Sequence, residues 1–226
     1  MLNKKLLLIQ CFIISTFAIA QKDSINTSKK YWEDQLYFGL NYNVLINQPS
    51  GVDPSKVSYG VQLGYIKDIP VNKKGTTAFG LGIGYSYDFF SHSLVVNNAE
   101  EFSINANVSN NKLKMYNIEV PIQFRIRTSD AVTYSFWRLY VGARISYTFS
   151  HKFQYTLADE DLEFFNLDNF NKFQTGIEFS GGYGAFNLYA YYGLTPIFDN
   201  AAFNEETIKT SILKIGLIFY LSLIHI

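Results

Sequence analysis

Cysteine is almost missing from this chain. Cys11 is its single thiol, and it sits inside the N-terminal apolar run. A chain whose one cysteine falls in a removable leader forms no disulfide and has no thiol nucleophile. Nor does Cys11 read as a lipid-modified cysteine, because it interrupts the apolar run instead of following it. Histidine is nearly as scarce: His92, His151 and His225 are the three, and no two have metal-ligand spacing. No metal centre and no cofactor are expected from such a set. Charge of one sign is lacking too, with 19 Lys and Arg against 19 Asp and Glu. Without a basic stripe a nucleic-acid partner is not expected. Beyond the N-terminus, no run is apolar for the ~20 residues that a membrane-spanning helix needs.

The N-terminus reads as an export signal. Lys4 and Lys5 precede an apolar core from Leu6 to Ile19, and Ala18-Ile19-Ala20 forms a small-x-small cleavage site before Gln21. Residues 1–20 are therefore expected to be a signal peptide, and 21–35 a short periplasmic lead-in. Loss of Lys4 and Lys5 leaves the mature chain slightly acidic.

What the chain has in quantity is alternation. From Phe79 to Phe89, one face carries Phe79, Leu81, Ile83, Tyr85, Tyr87 and Phe89, and the other Gly80, Gly82, Gly84, Ser86 and Asp88. In an extended chain, neighbouring side chains point to opposite faces. One face is thus large and apolar, the other small and polar. Glycine weakens a solvated strand, so three in a row on the polar face point to crowding there. A narrow membrane barrel has that property: lipid outside, little room inside.

Seven further segments share the pattern: Leu36–Val44, Val57–Ile66, Leu113–Arg127, Trp137–Phe149, Phe173–Tyr183, Phe186–Leu194 and Ile212–Tyr220. The connections alternate in length. Residues 70–75, 128–136 and Gly184-Ala185 make short links, whereas 47–56, 91–111, 150–172 and 195–210 are long and polar. Short turns at one end and long loops at the other are how outer-membrane barrels are built. The expected fold is all-β, an eight-stranded antiparallel transmembrane β-barrel with up-and-down meander order over 36–220. Outer-membrane lipid is its expected surroundings. A soluble lipocalin-like barrel would place charged residues, not glycines, on the polar face and would mix side-chain sizes on the apolar one.

The segment Tyr116–Phe124, Y-N-I-E-V-P-I-Q-F, resembles the L-E-I-P-hydrophobic strand of the outer-membrane β-barrel family of Bacteroidota, which includes the PorT-like proteins. Tyr140-Val141-Gly142-Ala143 is similar to that family's fifth strand, and Gly176 to Gly182 to its Gly-rich sixth. Tyr191-Tyr192-Gly193-Leu194-Thr195 resembles its R-Y-x-x-G-L-T segment, with tyrosine where arginine is common. The resemblance implies an outer-membrane location and a non-enzymatic structural or export-accessory role. Its partners would be secretion-system or envelope proteins, as in type IX secretion. Family membership does not by itself confer such a role. At the other end, Leu221 to Ile226 (L-S-L-I-H-I) reads as the translation of a transposon mosaic end, so 221–226 is expected to be a non-native tail in which His225 carries no function.

Three sets of residues bear on chemistry. Glu119, Arg125, Arg144, Glu178 and Lys214, with Arg127, fall on the lumen face of their strands. Buried charges must be paired or hydrated, so a salt-bridged plug is expected, with Glu119 and Glu178 both within reach of Arg144. A narrow selective channel is the alternative use of the same residues. Ser91, His92 and Asp88 offer a Ser–His–carboxylate set for a small lipid-modifying enzyme, but three residues at the start of a loop are a weak signal. The third is the stretch Ala158 to Asn169. Its acids Asp159, Glu160, Asp161, Glu163 and Asp168 are mixed with Phe164, Phe165 and Leu167. They suit a solvated outer loop, a partner site or a weak Ca²⁺ site.

Overall fold

The computed structural model describes residues 34–223 apart from 50, 53–56, 73, 98–101, 106, 129–136, 200 and 204–205. The signal peptide, most of the lead-in and residues 224–226 lie outside the described residues. Thirteen strands follow in chain order. They are β1 (Gln35–Ile46), β2 (Tyr59–Pro70), β3 (Thr77–Ser91), β4 (Leu94–Val96), β5 (Phe102–Ile104), β6 (Val108–Arg127) and β7 (Trp137–Leu157). After them come β8 (Glu160–Phe165), β9 (Phe173–Tyr183), β10 (Phe186–Gly193), β11 (Ala202–Phe203), β12 (Glu206–Thr207) and β13 (Ser211–Ser222).

Eight of them close a barrel. The order β6-β3-β2-β1-β13-β10-β9-β7 is sealed by β6 pairing with β7, and every pairing is antiparallel. These are the eight strands that the alternation predicts, and a closed barrel leaves no edge within the wall. Leu221 and Ser222 belong to β13, opposite Leu36 and Gln35.

The wall is apolar outside. Leu36, Phe38, Leu40 and Tyr42 on β1, Phe79, Leu81 and Ile83 on β3, and Ile122, Phe124 and Ile126 on β6 are all exposed. Ile83 stands 60% exposed and Leu188 69%. Soluble proteins rarely expose apolar patches beyond a few hundred Å². This belt runs round the whole cylinder, and hydrocarbon is the environment that accommodates it. Most inward residues are polar: Gln62, Ser86, Asn117, Gln123, Ser180 and the charges described below are all buried, with Ile66 and Ile218 as apolar exceptions.

Two backbone features adjust the wall. Opposite Pro121 the β3–β6 ladder is interrupted at Gly82 and Ile83, because proline has no N–H to give. A Cβ on Gly82 would lie 2.9 Å from the Pro121 ring and 2.6 Å from Ile66, so glycine makes room for both. Higher up, the β6–β7 register slips. Asn117 pairs with Thr148 but Tyr116 with Ser150, and Phe149 becomes the extra residue of a bulge. The bulge reverses the phase of β7. Below it Tyr140, Arg144, Ser146 and Thr148 are buried; above it His151, Phe153 and Tyr155 are. The sequence reading ends this strand at Phe149 because the alternation fails there, yet β7 continues to Leu157.

The long connections depart from expectation in the same region. They are not merely polar loops. Residues 91–111 contain β4 and β5, paired to each other, and β11 pairs with β12. Leu94, Val96, Phe102, Leu167, Phe170, Ile197, Phe198, Phe203 and Ile208 form an apolar cluster with Leu45, Phe90, Leu113, Phe153 and Ile212 from the strand tops. Rings link one connection to another: Phe102 to Phe198 at 4.7 Å and Phe170 to Phe198 at 6.1 Å. Each apolar group is short and isolated among Asn, Ser and acidic residues, so no local period marks it. Only the convergence of connections buries it.

Gly84 and Gly64 face each other across β2 and β3, and the Tyr37 ring lies over the pair. A Cβ on Gly84 would sit 1.9 Å from the Tyr37 hydroxyl and 2.8 Å from the Leu63 carbonyl. Gly84→Ala should therefore lower unfolding stability in detergent by about 1–3 kcal/mol, as overpacking does. Gly84→Ala combined with Tyr37→Phe should recover part of it. Gly181→Ala, whose Cβ would meet nothing closer than 3.5 Å, should be close to neutral. Urea titration of the three variants checks this.

Candidate functional site

The lumen is filled by one connected column of charges. Its centre is Arg144 on β7, fully enclosed. The guanidinium pairs with Glu119 on β6 through Nη1 and with Glu178 on β9, where Nη2 lies 2.6 Å and Nε 2.7 Å from Oε2. Gln123 donates to the other Glu178 oxygen at 2.7 Å, and the Tyr189 hydroxyl donates to Oε2 at 3.3 Å. Tyr37 and Tyr189 present their rings to the guanidinium, 5.7 Å and 5.5 Å from its centre. Such cation–π contacts strengthen when water is excluded.

Towards the long-loop end, Ser86 donates to Glu119 at 2.8 Å. Lys214 on β13 stands 3.7 Å from Glu119 and 2.7 Å from Asp88 on β3. Asp88 also accepts from Asn43 at 2.9 Å and Asn117 at 3.0 Å, while Thr148 donates to Asn117 at 2.7 Å. Towards the short-turn end, Gln123 accepts from Arg125 Nε at 3.1 Å. Arg125 and Arg127 both pair with Asp68 on β2. Arg125 also donates to Gln35 at 2.7 Å and lies 4.2 Å over the Tyr140 ring. Four carboxylates thus meet four cations in a chain of contacts from Asp68 to Asp88.

The structure brings Glu119, Arg144, Glu178 and Lys214 into one group, with Arg125 one layer below and joined to it through Gln123. The sequence pattern does not place two members in this column. Asp68 lies beyond the expected end of strand two, where the inward Ile66 and the outward Lys67 break the polar-in, apolar-out rule. Counting on by two from Gln62 and Gly64 reaches it. Nearness in sequence groups Asp88 with Ser91 and His92, although it shares the lumen face of β3 with Ser86.

Ser91, His92 and Asp88 are not joined. Asp88 is committed to Lys214, Asn43 and Asn117. The Ser91 amide donates to the Ser58 hydroxyl at 3.0 Å. The His92 ring packs edge-on against Phe153 with centroids 5.5 Å apart, and neither buried ring nitrogen meets a serine or a carboxylate. Burial in the apolar cluster pushes the His92 pKa down to about 4. His151, inward above the bulge, stacks on Phe170 at 3.8 Å. Among the described residues no three His, Cys, Asp or Glu side chains gather as a metal site.

Two outcomes follow. Arg144→Met leaves Glu178 without a cation and Glu119 with Lys214 alone at 3.7 Å, which should cost about 3–5 kcal/mol in denaturant unfolding. Arg144→Met combined with Glu119→Gln and Glu178→Gln should recover much of that. His92 behaves as a neutral buried histidine whose folded pKa lies below its unfolded value of 6.5. Its unfolded form takes up a proton first, so stability should fall as pH drops from about 6.5 towards 4, with no contribution above that window. Melting in detergent across this range checks it, and His92→Phe should remove its share of the slope, with His151, whose pKa burial also lowers to about 4, keeping the rest.

The outer membrane protein beta-barrel domain family matches residues 19–199 of this chain, well over half its length. No curated protein matches it in sequence. Among solved structures it is similar to Ail, the attachment invasion locus protein of Yersinia pestis, at 14% identity and a TM-score of 0.37, over 84% of this chain and 99% of that one. A second Ail structure, in complex with the heparin analogue sucrose octasulfate, aligns over the same shares at 12% identity and a TM-score of 0.36. Barrels of the outer membrane have short periplasmic turns and longer extracellular loops. The chain belongs to the outer membrane protein beta-barrel domain family and resides in the outer membrane.

Proposed function

We propose that this protein is a closed, non-enzymatic barrel that serves the cell envelope structurally and takes an accessory part in export, in the manner of the PorT-like proteins. The observation that carries the reading is Arg144 held between Glu119 and Glu178 at the centre of the lumen. An ion crossing this barrel would have to pass a site where every charge already has a partner. Breaking one such contact costs several kcal/mol. Above that site, the apolar cluster around Phe153 and Phe198 lies over the barrel mouth. A lumen so filled suits a rigid support better than a conduit.

The export part of the proposal rests on the Tyr116–Phe124 segment and its likeness to the PorT-like strand. In the structure this segment lies in β6 and carries Glu119 and Pro121 on its lumen face. Its relevant partners would be secretion-system or other envelope proteins of a type IX route in Bacteroidota. Catalysis by Ser91, His92 and Asp88 has no support in their arrangement, since Asp88 serves the lumen and His92 the cap.

In planar bilayers the protein should give no discrete conductance steps, and Arg144→Ala or Glu178→Ala should admit a small leak. Steady conductance by the unmodified protein would support the channel instead. Deletion of the gene should deplete type IX cargo from the culture medium. An unchanged secretome would remove the export part and leave the structural one. His92→Ala should leave the lipid A profile unaltered, and a changed profile would favour the enzyme.

A further inference from the structure

The barrel wall has no free edge, but the sheet does. Above the bulge, β6 and β7 stay paired, β6 also with β3 as far as Lys112, and β8 folds back along β7. In the strand order β8 is terminal, so among the described residues no strand lies on its other side. Ala158 and Asp159 form the connecting turn, with φ of 50° and 67°. Positive φ at both positions marks a type I′ two-residue hairpin. In that hairpin Leu157 and Glu160 exchange both backbone bonds, and bonded and non-bonded pairs then alternate. Leu162 and Phe164 accordingly turn their backbone groups to β7. Asp161, Glu163 and Phe165 turn theirs to the open side. The next bonded pair confirms the phase, since the Asn166 amide donates to the His151 carbonyl at 3.1 Å.

The side chains of Asp161, Glu163 and Phe165 share one exposed face. That face runs from basic to acidic across the sheet. Lys112 and Lys114 on β6 lie opposite Gln154 and Lys152 on β7, which lie opposite Glu163 and Phe165 on β8. Lys152 makes the cross-strand contacts, 2.6 Å to Glu163 and 5.0 Å from the Phe165 ring. The pattern across β7 and β8 sets a cation beside the acid and the ring. A further strand that repeated it would place cations opposite Asp161 and Glu163 and an apolar residue opposite Phe165.

We propose that the open edge of β8 is a β-augmentation site for an extended basic segment of a partner at the cell surface. Main-chain bonds to Asp161, Glu163 and Phe165 supply affinity, and the two carboxylates select the charge. A second copy of this chain is the poorer occupant. Two β8 edges side by side would set Asp161 and Glu163 against the same acids, which is how edge strands are kept from self-pairing. The inference goes beyond the envelope role above and holds whether or not the barrel serves export.

The test uses the full chain in lipid nanodiscs and two acetylated peptides, TITKTKT and TITETET. The lysine peptide should bind more tightly than the glutamate one, and it should slow amide exchange at Asp161, Glu163 and Phe165. Glu163→Pro removes an outward N–H and one selecting carboxylate but no bond to β7, and it should weaken the lysine peptide at least about tenfold, the loss of one good hydrogen bond alone. Asp161→Lys combined with Glu163→Lys should invert the preference between the peptides. Heat-modifiable gel mobility establishes that each variant is folded. Equal binding of the two peptides, full affinity in Glu163→Pro, no binding of the lysine peptide, or β8-to-β8 crosslinking between copies would each overturn the proposal.

Discussion

The structure turns on a cation that cannot leave. Arg144 is buried in the lumen, and its charge is tolerable only because Glu119 and Glu178 reach it from the strands on either side. Those two carboxylates would repel each other without it. The arrangement joins β6, β7 and β9 more firmly than main-chain pairing alone, and Tyr37 and Tyr189 close over it from β1 and β10. In a fold whose outside gains little from packing on lipid, the inside has to supply specificity. A polar interior does this through the pairing of its charges.

The interior is divided by depth. Within the lipid belt charges and amides share the interior with Tyr37, Tyr140, Tyr189 and Tyr220, and above it apolar side chains predominate. The lower part is wrapped by hydrocarbon, so its own polar groups must find each other. The upper part is wrapped by water, and an ordinary hydrophobic core forms there from connections that share no continuous sequence. His92 and His151 lie at this upper level among aromatic rings, which accounts for their distance from any acid.

The lower part was legible in the sequence and the upper part was not. In the lower part a period of two runs through each strand, so the faces of Leu36–Val44 or Phe79–Phe89 can be assigned by counting. The charges Glu119, Arg125, Arg144, Glu178 and Lys214 fall on the inner face by the same count. Asp68 escaped because the polar-in rule lapses at Ile66, near the rim where Lys67 reaches Asp34. The upper part escaped for a different reason. Leu94-Val95-Val96, Leu167 and Ile197-Phe198 are too short to show a period, and what buries them is one another. Asp88 shows the limit of reading by proximity: four residues from His92, it belongs to a different layer.

The bulge at Phe149 has a consequence for how such a chain changes. A strand that kept one phase throughout would tie each outward position in the lipid to an outward position in the water above it. One inserted residue resets the count. Tyr147 faces lipid, while Phe153, six residues on and of the same parity, faces the cap. The segment above the bulge is thus free to lengthen, shorten or exchange its residues without re-aiming Arg144 or Thr148 below. The barrel and its surface can vary as separate modules on one continuous strand.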